Sequence, residues 1–116
     1  MALQILHNPR CSKSREALAL LESRGIRPQV IEYLATPLSL DELRTLQRQL
    51  GAPVRAMLRE GEDDYRELGL ADASLSDTQL LQAIAERPAL LQRPIVVDGD
   101  RALIARPPAL LNDWLR

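Results

Sequence analysis

The chain has 116 residues, of which 46% are hydrophobic, and a formal net charge of -1 at pH 7. This size predicts one globular domain, residues 1–116, with a modest core. The near-zero charge gives no overall attraction for nucleic acid or a membrane surface, and no apolar run approaches bilayer-spanning length. A single cysteine excludes an internal disulfide framework and, without a signal-peptide pattern at the start, predicts a cytoplasmic protein.

The first two predicted elements flank a short polar stretch. Ala2–Leu6 is an apolar run that stops at an Asn-Pro turn, which predicts a strand. Ser12–Arg24 carries alanines and leucines on a helical period and predicts a helix, with Ser12 or Ser14 able to cap its start and Gly25 at its end. The turn between these elements holds the only cysteine of the chain.

The middle of the chain is predicted to contain one strand and then several helices. Pro28–Leu34 is rich in β-branched residues and predicts a second strand, parallel to the first through a right-handed crossover. Ser39 opens a helix that ends at Gly51, because a glutamate three residues after Ser39 gives capping-box spacing. Shorter helical pieces follow in Pro53–Leu70, and a further helix occupies Ser76–Glu86, capped by its serine. Side chains of the shorter pieces expected to point inward are Val54, Met57, Leu58, Tyr65 and Leu68.

Two strands and a helix close the chain. Pro94–Val97 and Ala102–Ile104 flank a compact Asp-Gly-Asp turn, which predicts an antiparallel hairpin. Pro107–Leu115 predicts a last helix with a proline in its first turn. The resulting order is the thioredoxin-like arrangement, an α/β fold in which a four-stranded mixed sheet carries flanking helices, here with a helical insertion. Such folds hold their reactive cysteine at the start of the first helix.

The surroundings of Cys11 favour a reactive thiolate over a buried thiol. A lone cysteine is most often a small core residue, but Arg10, Lys13 and Arg15 surround this one, and no apolar residue follows it before Ala17. The first amides of a helix point at whatever precedes them, and the helix dipole adds positive charge there, so the pKa of a cysteine at that place falls below its ordinary value. One cysteine and one histidine are too few for a metal site.

Three segments of the chain carry a distinctive combination of residues. They are His7–Arg15 (HNPRCSKSR), Val54–Arg59 (VRAMLR) and Leu91–Val97 (LQRPIVV), and Arg106-Pro107 follows them. In this combination the chain resembles the glutaredoxin-coupled arsenate reductase family. The matching residues lie in order from residue 5 to residue 107, so the resemblance covers essentially one whole domain.

The resemblance implies a nucleophile and an oxyanion site. Cys11 would attack a bound arsenate, His7 would help to hold the cysteine as thiolate, and Ser14 would be a hydroxyl near the sulfur. The arginines implied to bind the oxyanion are Arg59, Arg93 and Arg106. Arsenate is a doubly charged tetrahedral anion at neutral pH, which guanidinium groups can hold with forked, charge-assisted hydrogen bonds. The resemblance also implies a cis peptide between Arg93 and Pro94.

The reducing electrons are expected to come from outside the chain. Attack on arsenic leaves an arsenic thiol ester that a second thiol must reduce, and the chain has no second cysteine. The resemblance implies glutathione as the reducing co-substrate and glutaredoxin as the protein that releases the mixed disulfide, with no bound cofactor. The expected function is therefore the reduction of arsenate to arsenite with these two partners.

Two other functions fit the same fold. A general glutathione-dependent thiol reductase would use Cys11 without arsenate, although Ser12 and Ser14 replace the second and fourth residues of the Cys-Pro-x-Cys motif of a glutaredoxin. A non-enzymatic regulator that binds RNA polymerase is the other alternative, although many proteins of that branch carry Cys-x-x-Cys and this chain does not. A phosphatase-type anion loop needs arginine six residues after the cysteine, where this chain has Ala17.

Overall fold

The structure is a computed structural model that describes residues 3–115. Met1, Ala2 and Arg116 lie outside the described residues, so the part of the predicted first strand at Ala2 does too. The described chain divides into two compact units, one running up to Thr36 and resuming at Arg93, the other Pro37–Gln92. We call them the sheet unit and the helical unit. No helix within residues 3–115 is both long enough and apolar enough to cross a membrane.

The sheet unit contains the predicted four-stranded mixed sheet. Its strands are β1 (Gln4–Leu6), β2 (Gln29–Ile31), β3 (Ile95–Asp98) and β4 (Arg101–Ile104), in the spatial order β2-β1-β3-β4. β1 runs parallel to β2 and antiparallel to β3, and β3 and β4 form the predicted antiparallel hairpin. The thioredoxin-like prediction is therefore confirmed, with β1 as an inner strand.

The second strand is shorter than the predicted Pro28–Leu34. It ends at Ile31, after which the N–H groups of Ala35 and Thr36 both donate to the carbonyl oxygen of Glu32 at 3.0 Å and close a turn. The cause lies on the neighbouring strand. The His7 N–H still donates to the Ile31 carbonyl oxygen at 2.8 Å, but the chain after His7 turns toward the first helix and the parallel ladder stops.

The first helix, α1 (Ser12–Ser23), begins without a side-chain cap. The prediction that Ser12 or Ser14 caps it is wrong, because Cys11 occupies the N-cap position and makes no side-chain cap hydrogen bond. Ser14 lies inside the helix, and its hydroxyl accepts from the Asn8 N–H at 3.0 Å. Because the Ser14 hydroxyl bonds the loop before the helix, it does not cap the first N–H groups of α1, and these N–H groups point toward Cys11.

The core of the sheet unit lies between α1 and the sheet. Its fully buried residues are Ile5, Ala17, Leu21, Val96, Ala105 and Leu111. The last predicted helix is present in two parts, a 3₁₀ turn at Pro108–Leu110 and a short helix, α5 (Leu111–Trp114). Trp114 packs against this core, as does the inner face of α1.

The helical unit follows the predicted element order closely. It contains α2 (Leu40–Leu50), a 3₁₀ turn (Val54–Met57), α3 (Asp63–Glu67), α4 (Asp77–Glu86) and a second 3₁₀ turn (Pro88–Leu90). Both predicted serine caps are confirmed, since Ser39 and Ser76 each form a complete capping box. The C-cap of α2 is Gly51, as predicted, with a left-handed φ of 61°.

One inward-pointing residue of the helical unit was predicted wrongly. Leu68 is 38% exposed, and Tyr65 is only partly buried, whereas Val54, Met57 and Leu58 are buried as expected. The chain reverses at Gly69, which has a φ of 64°, and the Leu70 N–H then donates to the Tyr65 carbonyl oxygen at 3.0 Å. This reversal turns Leu70 inward in place of Leu68.

Candidate active site

The loop between β1 and α1 fixes the position of Cys11 through its own backbone. The Cys11 N–H donates to the Asn8 carbonyl oxygen at 3.0 Å, and the Arg10 N–H donates to Asn8 Oδ1 at 3.0 Å. On the helix side, the Arg15 N–H donates to the Cys11 carbonyl oxygen at 3.0 Å. Cys11 is therefore held at the helix start with its side chain half-buried.

Several groups around the sulfur of Cys11 stabilise negative charge on it. Burial is the largest single influence and raises the pKa of Cys11, but hydrogen bonds from the Ser14 N–H, the Arg93 side chain and the Lys13 N–H lower it, as does the charge of Arg93. The net effect is a pKa below the ordinary value of a cysteine. Two of the three donors are amides in the first turn of α1, which is the contribution expected of a helix start.

His7 and Ser14 form a buried pair beside this sulfur. His7 Nδ1 lies 2.8 Å from Ser14 Oγ, and Ser14 is fully buried. Burial is the largest influence on the pKa of His7 and lowers it. The charge of Glu32 raises this pKa and the charge of Arg15 lowers it. The pKa of His7 is lowered overall, so His7 is neutral at pH 7. Ser14 links His7 to Cys11, because its hydroxyl is hydrogen-bonded to the imidazole and its N–H donates to the sulfur.

Replacing Ser14 by alanine is expected to lower the free energy of unfolding by about 1–3 kcal/mol, because the Asn8 N–H and the His7 ring lose a buried partner. Urea denaturation monitored by circular dichroism measures this loss. The matched control is Ser12→Ala, which removes an exposed hydroxyl from the same helix turn and is expected to change stability little. Equal stability of both variants would contradict a structural role for the Ser14 hydroxyl.

Arg93 and Arg106 lie together on the other side of β1 from β2. Arg93 lies two residues before β3. Its side chain hydrogen-bonds the sulfur of Cys11, and its carbonyl oxygen accepts from Arg106 Nη1 at 3.2 Å. The predicted cis peptide between Arg93 and Pro94 is confirmed, and the Arg106–Pro107 bond is also cis, which was not predicted. The Ala105 N–H donates to the Pro94 carbonyl oxygen at 2.9 Å, which keeps the segments carrying the two arginines side by side.

Arg59 belongs to the helical unit, not to the sheet unit that contains the other predicted site residues. Its N–H donates to the Leu90 carbonyl oxygen at 2.8 Å, and its Nε lies 3.3 Å from a carboxylate oxygen of Glu62. The guanidinium is largely buried, with 21% of the side chain exposed. Its predicted role as an oxyanion ligand therefore rests on the resemblance described above.

Two residues of the site were not predicted from the sequence. Asn8 shapes the loop by accepting from the Arg10 N–H, and Glu32 acts on the charge state of His7. Asn8 could have been found from the Asn-Pro turn, since asparagine side chains commonly bond the backbone two residues on. Glu32 has no local signal in the sequence, because its place beside His7 depends on the register in which Leu6 pairs with Ile31.

The chain was compared with known proteins. Residues 6–113 match the family model described as the ArsC family. An "Arsenate reductase" of Neisseria meningitidis is 52% identical over 106 residues, which cover 90% of this chain and 91% of that protein. An "Arsenate reductase" of Haemophilus influenzae is 48% identical over 116 residues, which cover 99% of this chain and 100% of that protein.

Solved structures give the same result. The structure described as "Arsenate reductase from Vibrio cholerae" is 54% identical, has a TM-score of 0.94 and is covered over 97% of both chains. The matched region includes the loop that carries Cys11, the helical unit and the segments that carry Arg93 and Arg106. Since the family model and the relatives span nearly the full length, the chain belongs to the ArsC family.

Proposed function

We propose that this protein reduces arsenate to arsenite, with the thiolate of Cys11 as the nucleophile. The observation that carries the proposal is the position of the sulfur, which lies at a helix start and is hydrogen-bonded by the guanidinium group of Arg93. A nucleophile thus lies beside a group that suits a doubly charged tetrahedral oxyanion. Relatives described as arsenate reductases, 48–52% identical, support arsenate as that oxyanion.

The arginines have separate tasks in the proposed oxyanion site. Arg93 would hold the arsenate against the sulfur and stabilise the charge that develops during attack. Arg106, whose Nη1 bonds the Arg93 backbone, would bind a further oxygen. Arg59 would be the third ligand, on the strength of the family resemblance.

The reduction of one arsenate takes two electrons, which come from Cys11 and one external thiol, and a second external thiol must then return Cys11 to its reduced form. The thiolate of Cys11 attacks arsenic, an As–S bond forms, and one arsenate oxygen leaves as water after it has taken up protons. A second thiol then attacks the Cys11 sulfur. The S–S bond forms, the As–S bond breaks with its electron pair going to arsenic, and arsenic(V) becomes arsenic(III).

Glutathione is the proposed second thiol, and glutaredoxin the proposed partner that frees Cys11 from the mixed disulfide. The 116 residues contain no other cysteine, so no disulfide can form among them to end the cycle. The thiols themselves carry the electrons, and the proposed reaction therefore uses no bound cofactor.

The test is arsenate-dependent NADPH oxidation, measured with glutathione, glutaredoxin and glutathione reductase, and in parallel with thioredoxin and thioredoxin reductase. Arsenite is quantified at the end of each reaction. We expect arsenite only with the first set of donors, and no NADPH oxidation above background when phosphate replaces arsenate, because phosphate is not reduced. If neither set of donors yields arsenite, the proposed function is wrong.

A further inference from the structure

Arg59, one of the three arginines proposed to bind the oxyanion, is paired with a carboxylate of its own unit. Its Nε lies 3.3 Å from Oε1 of Glu62, and the two side chains are 21% and 30% exposed. At this degree of burial, solvent screens the two charges less than it does at an open surface. A carboxylate, which is itself an oxyanion, thus already lies against a guanidinium group proposed to bind arsenate.

The backbone of the helical unit holds both members of this pair. The Arg59 N–H donates to the Leu90 carbonyl oxygen at 2.8 Å. The Gln92 N–H donates to the Met57 carbonyl oxygen at 2.8 Å, so a short antiparallel bridge fixes the segment that carries Arg59. The Glu62 N–H donates to the Arg59 carbonyl oxygen at 3.2 Å and closes a turn. Because this turn keeps the two residues together, an anion that approaches Arg59 also approaches Glu62.

Two carboxylates close to this pair in the sequence differ from Glu62 in their surroundings. Asp63 follows Glu62, and its Oδ1 lies 2.8 Å from Nη2 of Arg66. Glu60 follows Arg59, and its side chain is exposed. The segment therefore offers carboxylates of the same charge, next to the pair but outside it, with which the role of Glu62 can be compared.

An oxyanion bound to Arg59 places negative charge near the Glu62 carboxylate. The two repel each other, and the energy of this repulsion is proportional to the product of the two charges. A doubly charged anion therefore loses about twice as much binding free energy as a singly charged anion of the same shape. The carboxylate also competes with the ligand for the N–H groups of the guanidinium.

We propose that Glu62 determines which oxyanions the site prefers, because it weakens the binding of doubly charged anions more than that of singly charged ones. The inference rests on the proposed function, since it requires that Arg59 bind the substrate oxyanion. Doubly charged arsenate exchanges a proton with a singly charged form, and Glu62 shifts the bound population toward the singly charged form. This form carries one more proton, so one proton fewer has to be supplied when an arsenate oxygen leaves as water.

The test measures how well unreactive anions protect Cys11 from iodoacetamide at constant ionic strength, which reports binding beside the sulfur without arsenate turnover. Sulfate and perchlorate are the probes, because both are tetrahedral and carry two charges and one charge, respectively. In Glu62→Gln we expect half-protection at about tenfold lower sulfate and about threefold lower perchlorate concentration, since doubling the charge squares the fold-change. The KM for arsenate in the coupled assay is expected to fall as well.

Glu60→Gln and Asp63→Asn are the matched controls, because each removes one negative charge from a residue next to the pair. Both are expected to change the half-protection concentration of either anion less than about twofold. A gain in affinity also separates the proposed role from a purely structural one. If Glu62 only held Arg59 in place, Glu62→Gln would bind both anions more weakly.

The outcomes separate this inference from the proposed function. If sulfate does not protect the wild-type protein, the proposed oxyanion site is wrong and the inference fails with it. If sulfate protects the wild type and Glu62→Gln needs the same or a higher concentration, the oxyanion site stands and the inference is overturned. Equal gains for sulfate and perchlorate would overturn the selection by charge, and an equal gain in Glu60→Gln would overturn the assignment to Glu62.

Discussion

Replacing Cys11 by serine is expected to reduce arsenate turnover by at least about 10³-fold, the scale on which enzymes depend on a covalent nucleophile. The hydroxyl of serine stays protonated at neutral pH, so it cannot use the amides and the guanidinium group that stabilise the thiolate. Oxygen also cannot replace sulfur in the second step, where Cys11 becomes part of a disulfide. Timed arsenite formation under the coupled conditions measures the loss.

The fold is expected to survive this substitution. The backbone N–H of Cys11 donates to the loop and its carbonyl oxygen accepts from α1, and serine keeps both groups. Thermal unfolding should therefore occur within a few degrees of the wild-type temperature. Ser12→Ala, one residue away and exposed, serves as the control for local disturbance and should keep its activity. Turnover by Cys11→Ser above about 1% of the wild-type value would contradict the assignment of the nucleophile.

The sequence predicts an element correctly when all of the residues that determine it lie close together along the chain. The serine caps of α2 and α4 were predicted correctly because the residues of a capping box lie within one helical turn. The end of β2 was not predicted correctly, because it depends on β1, which is distant along the chain. The exposure of Leu68 was not predicted either, because it depends on a reversal of the chain. Ser14, which the sequence offers together with Ser12 as a possible cap, instead bonds His7 and Asn8 of the preceding loop.

In the candidate site, too, some residues are predicted from local features and others depend on the fold. Cys11 could be singled out from its basic neighbours and its place before a helix, which are local features. That Glu32 faces His7 follows only from the register of two parallel strands, and that Arg106 bonds the Arg93 backbone follows only from the fold of the hairpin. For the arginines, the family resemblance supplied the prediction, because one arginine among many has no local feature that distinguishes a ligand from a solvated side chain.

Replacing Arg93 by alanine is expected to have two separable effects. The first concerns the free thiol. Arg93 lowers the pKa of Cys11 both by a hydrogen bond and by its charge, so its removal raises that pKa. The thiolate fraction at neutral pH then falls, and the midpoint of the pH dependence of iodoacetamide alkylation moves to higher pH. Alkylation needs no arsenate, so this measurement reports on the thiolate alone.

The second effect concerns the oxyanion. Loss of a guanidinium group that forms charge-assisted hydrogen bonds to arsenate is expected to lower kcat/KM for arsenate by about 10- to 100-fold, from about 1.5–3 kcal/mol of lost interaction. Arg106→Ala is the matched control, because the hydrogen bond of Arg106 goes to the Arg93 backbone and not to the sulfur. It should weaken arsenate binding and leave the alkylation midpoint in place. If Arg93→Ala leaves both the midpoint and kcat/KM unchanged, Arg93 neither stabilises the thiolate nor binds the oxyanion, and the proposed site loses the contact on which it was built.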